Sequence, residues 1–287
     1  MQADLVAVLV AVTGGQPRIL TTGSGRALPA GPFTSNHRSL QASLRAWVEK
    51  QTHHPLGFVE QLYTFADRER SQQLGMHVIS ISYLALTQEL DEVGAAQPGW
   101  QDWYRYFPWE DWRDGMPGVI AERIAPALHA WSEAASDSVA RSARWQRASM
   151  TFGLDEHEWN EELVLQRYEL LFEAGVVPEA WGEGDEARAA QLLPGAAMSN
   201  DHRRILATGM ARLRAKIKYR PVVFELMPEE FSLLQLQQTV EALAGRGLHK
   251  QNFRRLIEQQ ALVEETGQMT AVGAEIGRAS CRERVSS

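Results

Sequence analysis

The chain has 287 residues, enough for one large domain or two ordinary ones, each able to bury its own core. Apolar residues make up 44% and charged residues 23%, and the longest apolar run, Leu5–Val12, is far too short to span a bilayer. Asp4 stands where a secretion signal would carry positive charge, so no membrane partner and a cytoplasmic location are expected. The single cysteine, Cys281, excludes an intrachain disulfide and a cysteine-built metal site.

The net charge of −7 argues against indiscriminate nucleic-acid binding, but it hides a polarity. Between Asp201 and Gln260 there are eleven Lys/Arg and six acids, a balance of +5, while residues 1–200 come to about −11. An acidic body joined to a basic module is the asymmetry expected when one part faces an anionic partner.

In chain order, Ala3–Val12 and Pro17–Thr22 predict two strands of a hairpin turning at Gly14-Gly15-Gln16. Thr22–Pro32 is a Gly/Pro-rich loop that lacks the Gly-Lys-Ser/Thr of a phosphate loop and the frame of a nucleophile elbow. A helix follows over about Asn36–Thr52, with Leu40, Leu44, Trp47 and Val48 on one face. Phe58–Phe65 and His77–Ala85 alternate as strands around the charged loop Asp67–Gln73. This is an α/β mixture with short connections.

Residues 91–148 are crowded with aromatics, including Trp100, Trp103, Tyr104, Tyr106, Phe107, Trp109 and Trp112. They are read as the packing of a subdomain inserted over 91–180, with a helix near Gly118–Ala135. Asp155–Gly175 reads as a further helix with acids at its N-terminal end; His157–Glu161 lacks the second histidine of a zinc-protease motif. Gly182–Asp185 and Pro194-Gly195 read as linker. The first domain is therefore set at 1–195.

From Ser199 the pattern becomes basic. Asp201–Tyr219 reads as a helix and Pro221–Met227 as a short strand. Ser232 caps a helix over Leu233–Ala244, and Gly245-Arg246-Gly247 turns the chain into a third helix, His249–Gln260. Ala261–Met269 reads as a strand with a turn at Thr266-Gly267. This order is that of a winged helix-turn-helix over 199–274. Lys250, Gln251, Asn252, Arg254 and Arg255 fall on or near the outer face of the third helix; Arg suits guanine edges, Asn and Gln adenine, Lys phosphate. Lys216 and Lys218 are added as DNA contacts, and Phe253, Leu256 and Ile257 are expected to anchor the inner face. Residues 275–287 begin EIGRASCRERV, which resembles a sequencing adapter read in frame, and are set aside as an artefactual tail.

The helix at 36–52 carries part of a known pattern. Nudix hydrolases have G-x5-E-x7-R-E-U-x-E-E-x-G-U, whose glutamates hold Mg²⁺ against a pyrophosphate. Aligned on Gly31 and Arg45, this chain keeps Glu49 and the bulk of Trp47 but has His37, Ala46 and Lys50 where acids belong. One glutamate is a poor holder of catalytic Mg²⁺. Together with LPAGPF, FVEQLYTFADRER, ISISYLAL, NDHRRIL, RLRAKIKY, LMPEEFSLLQLQQ and LHKQNFRR, the helix resembles the Nudix-related transcriptional repressors of NAD biosynthesis, over about residues 1–90 and 199–270.

That resemblance implies a Nudix-like α/β sandwich with a helical insertion, fused to a C-terminal winged helix. It implies a sensor of ADP-ribose or a related NAD metabolite that binds double-stranded operator DNA as a homodimer. The ligand site would draw on Gly31, Arg45, Glu49 and Lys50, with Glu60 and Tyr63 from the strand that follows. No catalytic or metal residues are assigned, Mg²⁺ is not expected, and no cofactor is required. Lys50 is expected to replace the missing metal's charge at a pyrophosphate. The competing expectation is an active Nudix pyrophosphatase with a C-terminal interaction module.

Overall fold

The computed structural model describes residues 2–33, 39–52, 56–66, 78–89, 99–181, 193–219, 222–272 and 275–283. Its centre is a mixed sheet of β1 (Gln2–Thr13), β2 (Gln16–Leu20), β3 (Ala30–Pro32), β4 (Val59–Phe65), β5 (Val78–Leu86) and β6 (Trp100–Asp102). The strand order is β4-β5-β1-β2-β6, with β3 also paired to β1. β1 lies parallel to β5 and antiparallel to β2 and β3. Residues 5–11 of β1 are all buried, which is why this stretch is continuously apolar: both faces of the strand are covered.

One face is covered by α1 (Leu40–Thr52), whose Leu44 and Val48 pack with Leu5, Leu9 and Tyr83. This agrees with the helical face expected from the sequence. The loop over 67–73 and the 182–185 linker lie outside the described residues. So does His37.

The other face carries α5 (His202–Tyr219), and the core beneath it extends to α4 (Val164–Glu173), α3 (Ser138–Phe152) and α2 (Ala125–Glu133), which pack in turn on one another. The aromatic stretch is core: Trp103, Tyr106, Phe107 and Trp109 are fully buried, together with Val6, Val8 and Tyr168. β6, the first strand of the presumed insertion, joins the main sheet against β2. α5 lies across the sheet: a Cβ on Gly209 would stand 3.0 Å from the Val8 side chain.

The C-terminal part comprises α6 (Leu233–Ala244), α7 (Lys250–Gln260) and the antiparallel pair β7 (Val263–Val272) and β8 (Glu275–Glu283). Ser232 caps α6 in a capping box with Gln235, and Gly245 ends it in the left-handed region at φ +71°.

Four details of the sequence reading change. Pro221–Met227 is a 3₁₀ helix over Val222–Leu226, because Val223, Phe224 and Leu226 must all be buried and short apolar runs do not distinguish strand from helix. The helix expected from Asp155 starts only at Val164: Asp155 sits at φ +55° and its carboxylate accepts from Ser149 Oγ at 2.7 Å. β7 runs through Thr266-Gly267, with register shifts where a turn was expected. Residues 275–283 of the stretch set aside as a tail form β8.

A buried ionic knot ties these parts together. The Glu110 carboxylate, fully buried, accepts from Arg167 Nε at 2.6 Å and Nη2 at 2.9 Å, and from Arg214 Nη1 at 2.6 Å. Arg214, equally buried, donates on to the carbonyls of Leu243 (2.9 Å), Glu161 (3.1 Å) and Glu110 (3.1 Å). Tyr104 Oη donates to the Ala242 carbonyl at 2.7 Å, and the Trp112 amide to the Gly245 carbonyl at 2.6 Å. The last carbonyls of α6 have no partner within their helix, so these donors complete it. At Gly245 a Cβ would lie 2.3 Å from the Glu110 carbonyl, which leaves room only for glycine.

Arg214→Met leaves Glu110 short of one partner and the Leu243 carbonyl unpaired; urea unfolding is expected to show a loss of about 3–5 kcal/mol. A second expectation concerns His202, buried with its Nδ1 accepting from the Leu28 amide at 2.9 Å and its pKa lowered by burial to about 4. The unfolded chain, titrating near its ordinary 6.5, binds the proton more readily. Stability is therefore full above that value, falls as pH drops toward about 4 and levels off below. His202→Gln is expected to flatten that limb of a melting-temperature-against-pH curve.

Candidate functional site: the α1 face and the α7 face

Gly31 on β3 pairs with Leu5 of β1, and the Trp47 indole lies flat over it: a Cβ there would meet indole atoms at 2.2–2.5 Å. This close approach seats α1 on the sheet. Arg45 reaches past the end of its helix. Its Nη2 donates to the Gly57 carbonyl at 2.8 Å and its Nη1 to the Leu56 carbonyl, while Gln41 Nε2 reaches the Val59 carbonyl at 3.3 Å. Arg45 thus staples the exit of α1. Glu49 is exposed. The Lys50 side chain lies outside the described residues. Among the described residues, no three His, Cys, Asp or Glu side chains gather as metal ligands.

The expected ligand set is divided by the fold. Gly31, Arg45 and Glu49 stand together at α1 and β3. Glu60 and Tyr63 turn instead toward α5: Glu60 Oε2 lies 2.5 Å from Lys216 Nζ, and the Arg212 guanidinium stands 6.0 Å from the Tyr63 ring centre. Glu60 shares its face with Leu62, which packs in the core beneath α5; Tyr63, three residues on, would face the other way in a regular strand, and the register shift between Gln61 and Thr64 accounts for its standing on the same side.

The exit of α1 also touches the start of the C-terminal part. A Cβ on Gly57 would lie 3.0 Å from Glu225 Oε2 and 3.3 Å from the Leu86 carbonyl. Nearby, Gln88 Nε2 donates to the Met227 carbonyl at 2.5 Å.

On α7, Phe253 and Ile257 are buried one turn apart, and Lys250, Gln251, Asn252, Arg254 and Arg255 are exposed. Leu256, expected to anchor the helix, is 48% exposed; it falls outside the i, i+4 stripe that Phe253 and Ile257 define. The turn before α7 is pinned by Glu241, which accepts from the Leu248 amide at 2.8 Å, and by Gln237, which donates to the Leu248 carbonyl at 3.0 Å.

Most of the basic charge counted from the sequence is engaged inside the molecule. Arg203 pairs with Glu179, Arg204 with Glu169, Arg214 with Glu110 and Lys216 with Glu60. Lys218 meets Glu161 and Glu162, both at 2.8 Å, and Arg246 meets Glu161 at 3.2 Å. Burial tends to raise the Glu161 pKa, but Lys218 and Arg246 outweigh it and hold the carboxyl below its ordinary value. Lys216 and Lys218 therefore hold α5 to the acidic body, whereas Lys250, Arg254 and Arg255 carry the exposed charge of α7. Counting charges along the chain could not separate the two groups. The position of Arg203 and Arg214 beside the apolar stripe of α5 was the only available signal.

Comparison with known proteins agrees with this arrangement. Residues 223–280 match the family model of the NrtR DNA-binding winged helix domain. A curated relative, the ADPR responsive transcriptional repressor NtrR of Acinetobacter baylyi, is 38% identical over 73 residues, which cover 25% of this chain and 29% of the relative. The match thus spans under a third of that protein. The crystal structure of Shewanella oneidensis NrtR complexed with a 27mer DNA aligns over 98% of this chain and 93% of its own, with 17% identity and a TM-score of 0.54. A MutT/nudix family protein from Enterococcus faecalis aligns over 99% and 86%, with 14% identity and a TM-score of 0.55.

If Trp47 over Gly31 seats α1, Gly31→Val must displace the indole; near-ultraviolet circular dichroism is expected to lose tryptophan signal, with the melting temperature falling by several degrees. The chain thus has the fold of a Nudix-like domain followed by a winged helix, and residues 223–280 are similar to the NrtR DNA-binding winged helix domain.

Proposed function

We propose that the protein is a ligand-responsive transcriptional regulator that binds operator DNA through α7 and senses ADP-ribose, or a related NAD metabolite, at the α1 face. The observation that carries this reading is the exposed polar face of α7 within a winged helix of the NrtR type. The name of the Acinetobacter relative supports the effector, and the DNA in the Shewanella complex supports the partner. A homodimer on a two-fold operator fits this mode of reading, since paired half-sites mirror a two-fold protein. Target genes of NAD metabolism follow from the resemblance of the sequence motifs.

At α1, Ala46 and Lys50 stand where the Nudix box has carboxylates, so binding without hydrolysis is the role these residues support. By its place in the box Lys50 exchanges a carboxylate for a positive charge, and Arg45 adds a guanidinium suited to pyrophosphate. The proposed signal route is short: a ligand that draws Arg45 from the Leu56 and Gly57 carbonyls shifts the loop on which Glu225 rests.

For DNA, Arg254→Ala and Arg255→Ala are each expected to weaken operator binding by about 1–3 kcal/mol where they read bases, or to flatten the salt dependence by about one ion where they meet phosphate. Lys216→Ala and Lys218→Ala should leave the salt slope unchanged, because carboxylates already hold them. For the ligand, calorimetric titration with ADP-ribose should show weaker binding by Lys50→Glu protein than by the parent. Appreciable magnesium-dependent turnover of ADP-ribose would instead favour the pyrophosphatase reading.

A further inference from the structure

Between α5, the 3₁₀ segment, α6 and α7 lies a cavity of about 470 Å³. Its walls are apolar, with Phe224, Val240, Phe253, Leu256 and Ile257 among them. Its polar groups include Glu161, Arg214, Lys218 and Arg246. A size of this order, apolar walls and a few convergent polar groups are the features of small-molecule sites. The cavity lies on the opposite side of the sheet from α1, since the core containing Phe224, Phe253 and Ile257 is separate from the one beneath α1.

The charges linked here do not balance. Arg167, Arg214, Lys218 and Arg246 contribute four positive charges, and Glu110, Glu161 and Glu162 three negative ones, which leaves one positive charge over. By pairing, that surplus sits at Glu110, shared by two arginines, whereas Lys218 and Arg246 are matched in number by Glu161 and Glu162; among the described residues the cavity wall itself carries Arg214, Lys218 and Arg246 against Glu161 alone. The Arg167 and Arg214 side chains are fully buried, whereas that of Arg246 is 50% exposed. Lys218 Nζ and Arg246 Nη2 both bear on the same oxygen, Glu161 Oε1, and among the described residues the Arg246 guanidinium meets that carboxylate alone. A guanidinium has five N–H donors, so most of its capacity is unused. Leu256, 48% exposed, adds apolar surface that an occupant would cover.

We propose that this cavity is a second ligand site, which takes a carboxylic acid with an apolar body, the carboxylate held by Arg246 and Lys218 and the body packed against Val240, Phe253 and Ile257. Phe253 and Ile257 are the buried anchors of α7, so an occupant bears directly on the helix that faces DNA. This site owes nothing to the reading of α1: it binds whether or not ADP-ribose does.

The test is calorimetric titration of the full-length protein with sodium decanoate, with decanol and decylamine as probes of the same body with no charge or the opposite one. Saturable binding of one decanoate per chain is expected, with decanol weaker by roughly tenfold, the worth of a charge-assisted hydrogen bond. Arg246→Gln should remove that tenfold preference and leave decanol binding unaltered, while Val240→Trp, which fills the cavity, should abolish binding of both. Should Val240→Trp not fold, Leu256→Gln, at an exposed position, is expected to weaken both probes together. Absence of saturable decanoate binding overturns the proposal. So does equal affinity for decanoate and decanol, or a preference unaffected by Arg246→Gln. If sedimentation shows that Val240→Trp dissociates an oligomer while decanoate does not bind, the face belongs to a second copy of the chain.

Discussion

The carboxylate of Glu110 is the point on which the arrangement of this molecule depends. Buried without exposure, it cannot stand as a lone charge, and Arg167 from α4 and Arg214 from α5 supply the neutralising hydrogen bonds. Such a knot adds little net stability over an apolar core of the same shape, because removing the ions from water is costly. What it enforces is geometry. Each donor must reach its acceptor within hydrogen-bond distance, so the aromatic segment, α4, α5 and the end of α6 have one way to meet.

Arg214 extends that constraint into the winged helix. Its guanidinium reaches the Leu243 carbonyl while Tyr104 takes that of Ala242, so the C-terminal end of α6 is finished by α5 and by the aromatic segment. The same hydrophobic cluster runs from Val6 and Val8 on β1 to Phe253 and Ile257 on α7. α7 is therefore continuous in packing with the sheet. Its position is available to be biased from two sides, through the Arg45–Gly57–Glu225 contact and through the cavity behind Phe253.

Much of the fold was legible because its signals are local. The buried run of β1, the Leu44–Val48 face of α1, and the Ser232 cap and Gly245 stop of α6 all follow from a period or a cap that a few neighbouring residues define. The candidate site was legible only in part. Gly31 and Arg45 could be placed by the box motif, and the exposed residues of α7 by their spacing. Glu60 and Tyr63 were expected at the ligand; alternation would put these two, three residues apart, on opposite strand faces, and only the register shift between Gln61 and Thr64 sets both beside α5. Asp155, read as a helix-favouring acid, is a left-handed turn residue fixed by a hydroxyl six positions earlier.

The sequence by itself determined most of the element types, among them the three C-terminal helices, and the loss of carboxylates from the Nudix box, because each depends on residue identity within a short window. Only the tertiary structure decided what the charges are for. Lys216, Lys218, Arg203 and Arg214 looked like the same basic surface as Arg254 and Arg255, yet the first four meet Glu60, Glu161, Glu179 and Glu110 from elements far away in sequence. An ion pair is made by distance in space, and one-dimensional spacing carries no record of it. Lys250, Arg254 and Arg255, by contrast, stay exposed on α7.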